Sequence, residues 1–133
     1  MGLRTIKFRG KSIYDEEWLY GFLVKIEKDI YAVIPPLNDI EIGKSIGMYE
    51  VCLETIGQFT RLLDKNGKEI YEGDILLVGN DGYENTYNKV GIKDGCFGYV
   101  GEVDGKILPF CDYNVTEEIV GNIYDHPQLI KEE

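Results

Sequence analysis

The side chains that could do acid–base or metal chemistry are few and scattered. His126 is the only histidine among 133 residues. It precedes a proline at a predicted helix start, and without an evident nucleophile partner a capping or surface role is favoured over general-base catalysis. Cys52, Cys96 and Cys111 are an odd set without paired spacing, as expected for reduced thiols in a cytosol. No combination of these residues has metal-ligand spacing, so the sequence predicts no metal, no cofactor and no catalytic residue.

Two further patterns resemble catalytic or phosphate-binding motifs. Asp64, Glu72 and Asp74 lie close together in sequence, but Asp64 and Asp74 are better explained as turn formers and Glu72 as an exposed charge. Residues 43–45 read Gly-Lys-Ser, like the end of a phosphate loop, yet Asn38 stands where that motif requires glycine. Since neither pattern matches a catalytic or phosphate-binding motif, the sequence favours a protein that is not an enzyme.

Charge is unevenly distributed along a chain whose formal net charge is −10. Arg4, Lys7, Arg9 and Lys11 give the first eleven residues +4 without any acid, which leaves −14 for the remainder. An acidic body repels a polyanion and lowers the expectation of broad duplex binding. The basic arm is a candidate contact for nucleic acid or for an acidic face of another subunit, and the subunit contact is favoured.

An aromatic stripe follows the basic arm. Trp18, Tyr20 and Phe22 recur at period two and therefore share one face of a predicted strand. Such a row can stack nucleic acid bases. Aromatic residues on strands more often fill a core or a subunit interface, and we interpret the stripe in that way.

The elements that carry these residues are predicted to be short strands separated by turns, which is typical of a mainly β fold. Alternation predicts an edge strand at 3–9, and a short loop separates a hairpin's strands at 18–26 and 30–34. Within the strand at 86–93, Val90 and Ile92 are expected to face inward. The other predicted strands lie at 49–54, 75–78, 96–100, 106–110 and 117–124.

Two turns lie at the centre of the chain. Asn66-Gly67 predicts a hairpin tip of type I′, in which both central residues have positive φ. Gly73 permits a tight bend, after which Asp74 can bond its own backbone two residues further on. Near the end of the chain, Pro127 predicts the first position of a short helix capped by Asp125 or His126.

Longer segments around these turns resemble the YopX family of phage and prophage proteins. The segments are ETIGQFT at 54–60, DKNGKEIYEGDI at 64–75, IVGNIYDHP at 119–127 and IKFR at 6–9. Arg61 departs from the family pattern, which has glycine after the threonine. The resemblance implies a mostly β fold, frequent oligomerisation and a phage or prophage origin, but no established activity and no catalytic residues.

The sequence thus predicts a single YopX-like domain over residues 1–133. An N-terminal β lobe at 1–50, with a possible role in oligomerisation, precedes an SH3-like small β-barrel at 51–133 and the short C-terminal helix. The predicted function is a non-catalytic, self-associating interaction module. Nucleic-acid binding through the basic arm, and an acidic mimic of DNA that occupies a host protein, stay open as alternatives.

The expected setting is the cytoplasm of a host bacterial cell. No apolar run approaches the roughly 20 residues of a membrane span, and no charged segment precedes an apolar core at the amino terminus. The expected partners are other copies of the chain, with a host or phage protein as a further possibility and no membrane.

Overall fold

The computed structural model describes residues 6–36, 47–80, 82, 85–93, 95–100, 107–110 and 115–130. These ranges contain eleven strands and two 3₁₀ turns, at Leu53–Thr55 and Pro127–Leu129. The strands are β1 Phe8–Lys11, β2 Trp18–Glu27, β3 Ile30–Ile34, β4 Tyr49–Val51, β5 Gly57–Leu63, β6 Glu69–Tyr71, β7 Asp74–Asn80, β8 Asn85–Lys93, β9 Cys96–Val100, β10 Ile107–Pro109 and β11 Glu118–Asn122. The predicted mainly β fold is confirmed. In the described ranges no helix has the length and apolar content needed to cross a membrane.

The chain divides into two compact units, residues 1–59 and 60–133. Strand β5 runs across this division. The lobes predicted at 1–50 and 51–133 stay a prediction.

The first unit is an antiparallel meander whose two ends meet. Its strands follow the order β4-β3-β2-β1-β5, and β2 and β3 form the predicted hairpin. The N–H of Cys52 donates to the carbonyl of Lys11 over 2.7 Å, and the N–H of Ile13 donates to the carbonyl of Glu50 over 3.2 Å. These bonds hold the end of β4 beside the end of β1. They also explain why residue 10 is glycine, since a Cβ there would lie 2.9 Å from the Cβ of buried Val51.

The second unit is an antiparallel sheet packed on one apolar core. Its strands follow the order β10-β9-β8-β7-β11. The core side chains are Ile70, Leu76, Val90, Tyr99 and Phe110. The Tyr99 and Phe110 rings meet edge to face with centroids 5.0 Å apart, an arrangement that the ring quadrupoles favour. The described strands form an open sheet with β10 and β11 at its edges, so the SH3-like barrel stays a prediction.

The central turns form at the predicted residues but differ in detail. Gly67 and Gly73 have φ values of 83° and 94°, which glycine reaches without a Cβ clash. Asn66 is not among the residues with positive φ, so the type I′ assignment is wrong. The Asp74 carboxylate accepts from the N–H of Tyr71, three residues earlier in the chain, over 2.7 Å; the bond predicted two residues further on stays a prediction.

Two side-chain predictions are also corrected. Val90 is 2% exposed as expected, but Ile92 is 42% exposed. The register places Ile92 on the same face as Val90 and opposite Phe97, which packs against the core, but Ile92 lies close to the turn end of the β8–β9 hairpin and stays exposed. Pro127 begins a helical turn as predicted, but His126 makes no side-chain capping bond; its Nδ1 accepts from the N–H of Asn122 over 3.2 Å.

Candidate interaction surface

The register of the first unit brings the basic arm and the aromatic stripe together. Arg9 lies opposite Tyr20, and Lys11 lies opposite Trp18. Directly opposed residues of antiparallel strands have side chains on the same face. We call this surface the cation-aromatic face, and it comprises Lys7, Arg9, Lys11, Trp18, Tyr20, Phe22 and Phe59. Arg4, the remaining residue of the predicted arm, lies outside the described residues.

Each described cation of the arm is positioned over an aromatic ring. The guanidinium carbon of Arg9 lies 4.6 Å from the Trp18 ring centroid, and the Nζ of Lys11 lies 5.6 Å from it. The Nζ of Lys7 lies 5.5 Å from the Phe59 centroid. Contacts within about 6 Å are attractive by about 0.5–1 kcal/mol at exposed sites and about 2 kcal/mol when desolvated. The cations are therefore held in place before any partner binds, which lowers the entropy cost of binding.

Exposure varies along this face. Arg9 is 5% exposed, whereas Tyr20 is 43% and Phe22 is 54% exposed. A guanidinium that is buried against Trp18 is poorly placed to contact a phosphate. Tyr20 and Phe22 are not core residues, and their role in an interface stays a prediction.

Asp64 is a structural carboxylate of the second unit. Its Oδ1 accepts from the N–H groups of Asn66 and Lys68 over 2.8 and 2.9 Å, and its Oδ2 accepts from the N–H of Ile119 over 3.0 Å. Burial alone would raise the pKa of Asp64, but these backbone bonds and the Lys68 charge outweigh burial and lower its pKa. Asp64 therefore joins the hairpin tip to β11, which agrees with a turn-forming role.

Asn122 is a structural residue that the sequence did not single out. Its Oδ1 accepts from the N–H groups of Tyr124 and Asp125 over 3.0 and 2.9 Å, and its Nδ2 donates to the Asp125 carboxylate over 3.1 Å. The bond from the Tyr124 N–H to Asn122 forms an Asx turn. The Gly-Asn pair that ends β11 could have predicted this turn from the sequence, because asparagine often bonds its own backbone two residues further on. The His126 ring packs on Gly121, where a Cβ would lie 2.6 Å from Nδ1. His126 thus has a structural role in this loop.

Within the described part of the chain, no group of three or more His, Cys, Asp or Glu residues is arranged to hold a metal ion. The Cys52 thiol donates to the Glu54 carboxylate over 3.1 Å. This bond, partial burial and the Glu54 charge raise the pKa of Cys52. A thiol held protonated is a poor nucleophile, so Cys52 is in its less reactive form.

These features define a mainly β protein of two units with an ordered cation-aromatic surface. The model of the YopX family, described as YopX protein, matches residues 7–131, and the chain belongs to this family. The crystal structure of protein EF1440 from Enterococcus faecalis is similar to it, with a TM-score of 0.62 and 24% identity over 96% of this chain and 99% of that chain. Similarity at that identity establishes the shared fold. No curated protein matches the chain.

Proposed function

We propose that this protein is a non-catalytic, self-associating interaction module whose contact surface is the cation-aromatic face. The observation that carries the proposal is the exposure of Tyr20 and Phe22, at 43% and 54%, beside cations already held by ring contacts. Aromatic residues and arginine are enriched in protein interfaces, where large rigid side chains bind at low entropy cost. The family resemblance, which implies frequent oligomerisation, supports the same role.

Sedimentation velocity tests the proposal directly. The wild-type chain is expected to form a defined oligomer at micromolar concentration. Replacing Tyr20 and Phe22 by serine is expected to weaken association roughly tenfold or more, since burying one such side chain contributes about 1.5–3 kcal/mol. As a matched control, Tyr14 and Leu53 are replaced by serine in the same way. These residues are 82% and 40% exposed elsewhere in the same unit, and the control variant should associate like the wild type. A strictly monomeric wild-type chain contradicts the proposal.

Two other binding roles, nucleic-acid binding and mimicry of DNA, can be distinguished from self-association by simple binding assays. Nucleic-acid binding through the basic arm predicts a mobility shift at low salt that disappears when Arg4, Lys7, Arg9 and Lys11 are replaced by alanine. A mimic of DNA predicts that a basic host protein is retained from lysate, and the fifteen acids against seven bases in residues 60–133 support this second candidate. The absence of a mobility shift at low salt would reject nucleic-acid binding. The absence of a basic host protein from the retained fraction would reject the mimic of DNA.

The proposal includes two finer expectations about structure and setting. We expect residues 51–133 to close into an SH3-like barrel, because register shifts between Leu77 and Gly79 and between Ile119 and Gly121 add local twist and bending. Nuclear Overhauser contacts between backbone amides of β10 and β11 test that closure. We also expect a phage or prophage origin and a cytoplasmic location in the host bacterium, which fractionation of prophage-carrying cells can examine.

A further inference from the structure

We propose that the second unit binds a small monocarboxylic acid with an apolar body, in a cavity between strand β8 and the segment that follows β11. The cavity has a volume of about 510 Å³ and is lined by Lys89, Ile123, Tyr124, Pro127, Gln128 and Ile130. Its volume lies within the range of roughly 300–1,000 Å³ that is typical of small-molecule sites. The site is separate from the cation-aromatic face and does not depend on the proposed self-association.

The cavity lies on the face of the second sheet that is opposite to the apolar core. Val90 belongs to the core, and Lys89 precedes it along β8, so the two side chains lie on opposite faces. In the register Lys89 pairs with Ile75, and Ile75 pairs with Gly121 on its other side. Ile75 is 0% exposed, and a Cβ at Gly121 would lie 2.6 Å from the His126 ring. The segment after β11 therefore covers this face and forms one wall of the cavity.

The two walls are joined through the turn before β7. The N–H of Ile123 donates to the carbonyl of Gly73 over 2.9 Å, and the N–H of Gly73 donates to the carbonyl of Val90 over 2.8 Å. The helical turn at the end of the segment is closed by a bond of 3.2 Å from the N–H of Ile130 to the carbonyl of Pro127. Because these bonds position the walls before a ligand binds, binding costs less conformational entropy.

The wall combines apolar side chains with two polar groups. Its apolar part is formed by Ile123, Tyr124, Pro127 and Ile130. Its polar groups are the Lys89 ammonium and the Gln128 carboxamide. Within the described ranges, neither of these two side chains makes a hydrogen bond or an ion pair. Apolar walls with a few polar groups that are available to a ligand are characteristic of small-molecule sites.

The charge of the wall favours a carboxylate over other ligands. Among the described residues that line the cavity, Lys89 is the only charged one and none is acidic. A carboxylate accepts hydrogen bonds from both an ammonium and a carboxamide N–H, and the bond to the ammonium is charge-assisted. A cationic ligand would meet the ammonium without a counter-charge. A dianion such as phosphate would bring a second negative charge into a protein of net charge −10.

Nuclear magnetic resonance titration of the isotope-labelled full-length chain tests the site. Phenylacetate and hexanoate are the probes, and at least one should give saturable shifts at the amides of Lys89, Ile123, Tyr124 and Ile130. Phenylacetamide and hexanamide keep the apolar bodies but lack the charge, and each should bind roughly tenfold or more weakly than its acid. A lysine stem can also cover apolar surface while its ammonium stays in water. Equal affinities for acid and amide would therefore overturn the proposal.

Matched variants separate the Lys89 contact from the general effect of charge. Lys89→Met removes the ammonium and keeps an unbranched side chain, and Lys93→Met makes the same change at an exposed residue of the same strand. Each changes the net charge from −10 to −11. Lys89→Met should bind the acid roughly tenfold or more weakly and lose the preference for acid over amide. Lys93→Met should bind like the wild type.

A further variant tests the cavity without changing its charge. Gln128→Trp places a large ring at an exposed position of the wall, where it should fill the cavity and abolish binding of acid and amide alike. Circular dichroism should show that every variant is folded. The absence of saturable shifts with both acids up to about 10 mM, in the millimolar range of weak ligands, would overturn the proposal. Equal losses of affinity in the two methionine variants, or binding that survives Gln128→Trp, would also overturn it.

Discussion

Arg61 holds a backbone conformation that glycine adopts more easily. Its φ is 71° within strand β5, and the left-handed region costs a residue with a Cβ roughly 1–2 kcal/mol. The resemblance to the YopX family predicts glycine at this point, and the chain forms the bend with arginine instead. The bend therefore depends on the surrounding structure more than on the residue type at position 61.

Arg61→Gly is expected to raise the free energy of unfolding by about 0.5–1 kcal/mol, because relief of this strain exceeds the extra chain entropy of glycine. Urea unfolding at neutral pH measures the change. Arg61→Ala is the control, since it removes the same charge and keeps the Cβ. Equal stabilisation by alanine and glycine would show that the charge, and not the backbone, is responsible.

Asp64 should make the stability of the second unit dependent on pH. Its folded pKa is lowered, so its contribution is present above the unfolded pKa of about 3.9 and is lost as the pH falls through the folded value. Asp64→Asn is expected to cost about 1–3 kcal/mol at neutral pH, because it leaves a buried backbone donor unsatisfied or weakly bound. The difference from wild type should shrink below about pH 4.

Urea unfolding of both proteins across this pH range measures the Asp64 effect. Exposed Glu17→Gln serves as the control for removing one carboxylate. A destabilisation by Asp64→Asn that is the same at acid and neutral pH would contradict an ionised carboxylate as the source.

At the scale of elements, the loop after β11 depends on one side chain. Asn122→Ala removes the acceptor of the Tyr124 and Asp125 N–H groups, and we expect a loss of about 2–3 kcal/mol for two poorly satisfied donors in a partly buried loop. Hydrogen exchange at these two amides should accelerate more than exchange in β8. Asn122→Asp keeps the acceptor, so exchange at these two amides should accelerate less, although its carboxylate would repel that of Asp125 and lower the stability of the fold. Unchanged exchange in the alanine variant would contradict this role.

The elements that the sequence predicts well are those with local signals. The β2–β3 hairpin and the helical turn at Pro127 form at the expected residues, because a short loop and a helix-starting proline encode them directly. The return of β4 to β1 joins Lys11 to Cys52, and no local pattern encodes a pairing over that distance. For the same reason, the basic arm and the aromatic stripe could be identified separately, but their union on one face required the register of β1 and β2.

At the scale of the whole molecule, each unit has the material for a core of its own. The second unit buries Ile70, Leu76, Val90, Tyr99 and Phe110 together. In the first unit, Ala32, Val33 and Val51 are at most 3% exposed. A chain of about 60 residues is near the lower size limit for independent folding, so the first unit should be the less stable fragment.

Fragments that end at residue 59, the boundary of the compact units, or at residue 50, the boundary predicted from the sequence, are expected to differ in stability. Residues 60–133 should unfold cooperatively on heating, as followed by circular dichroism. Residues 1–59 should be marginally folded, with Trp18, the only tryptophan, as a fluorescence probe. Residues 1–50 should be unfolded, because that cut divides β4, removes buried Val51 and loses the bond from Cys52 to Lys11. Dispersed amide resonances for 1–50, equal to those of 1–59, would instead favour the earlier boundary, and the closure of β4 onto β1 would then be dispensable for folding the amino-terminal lobe.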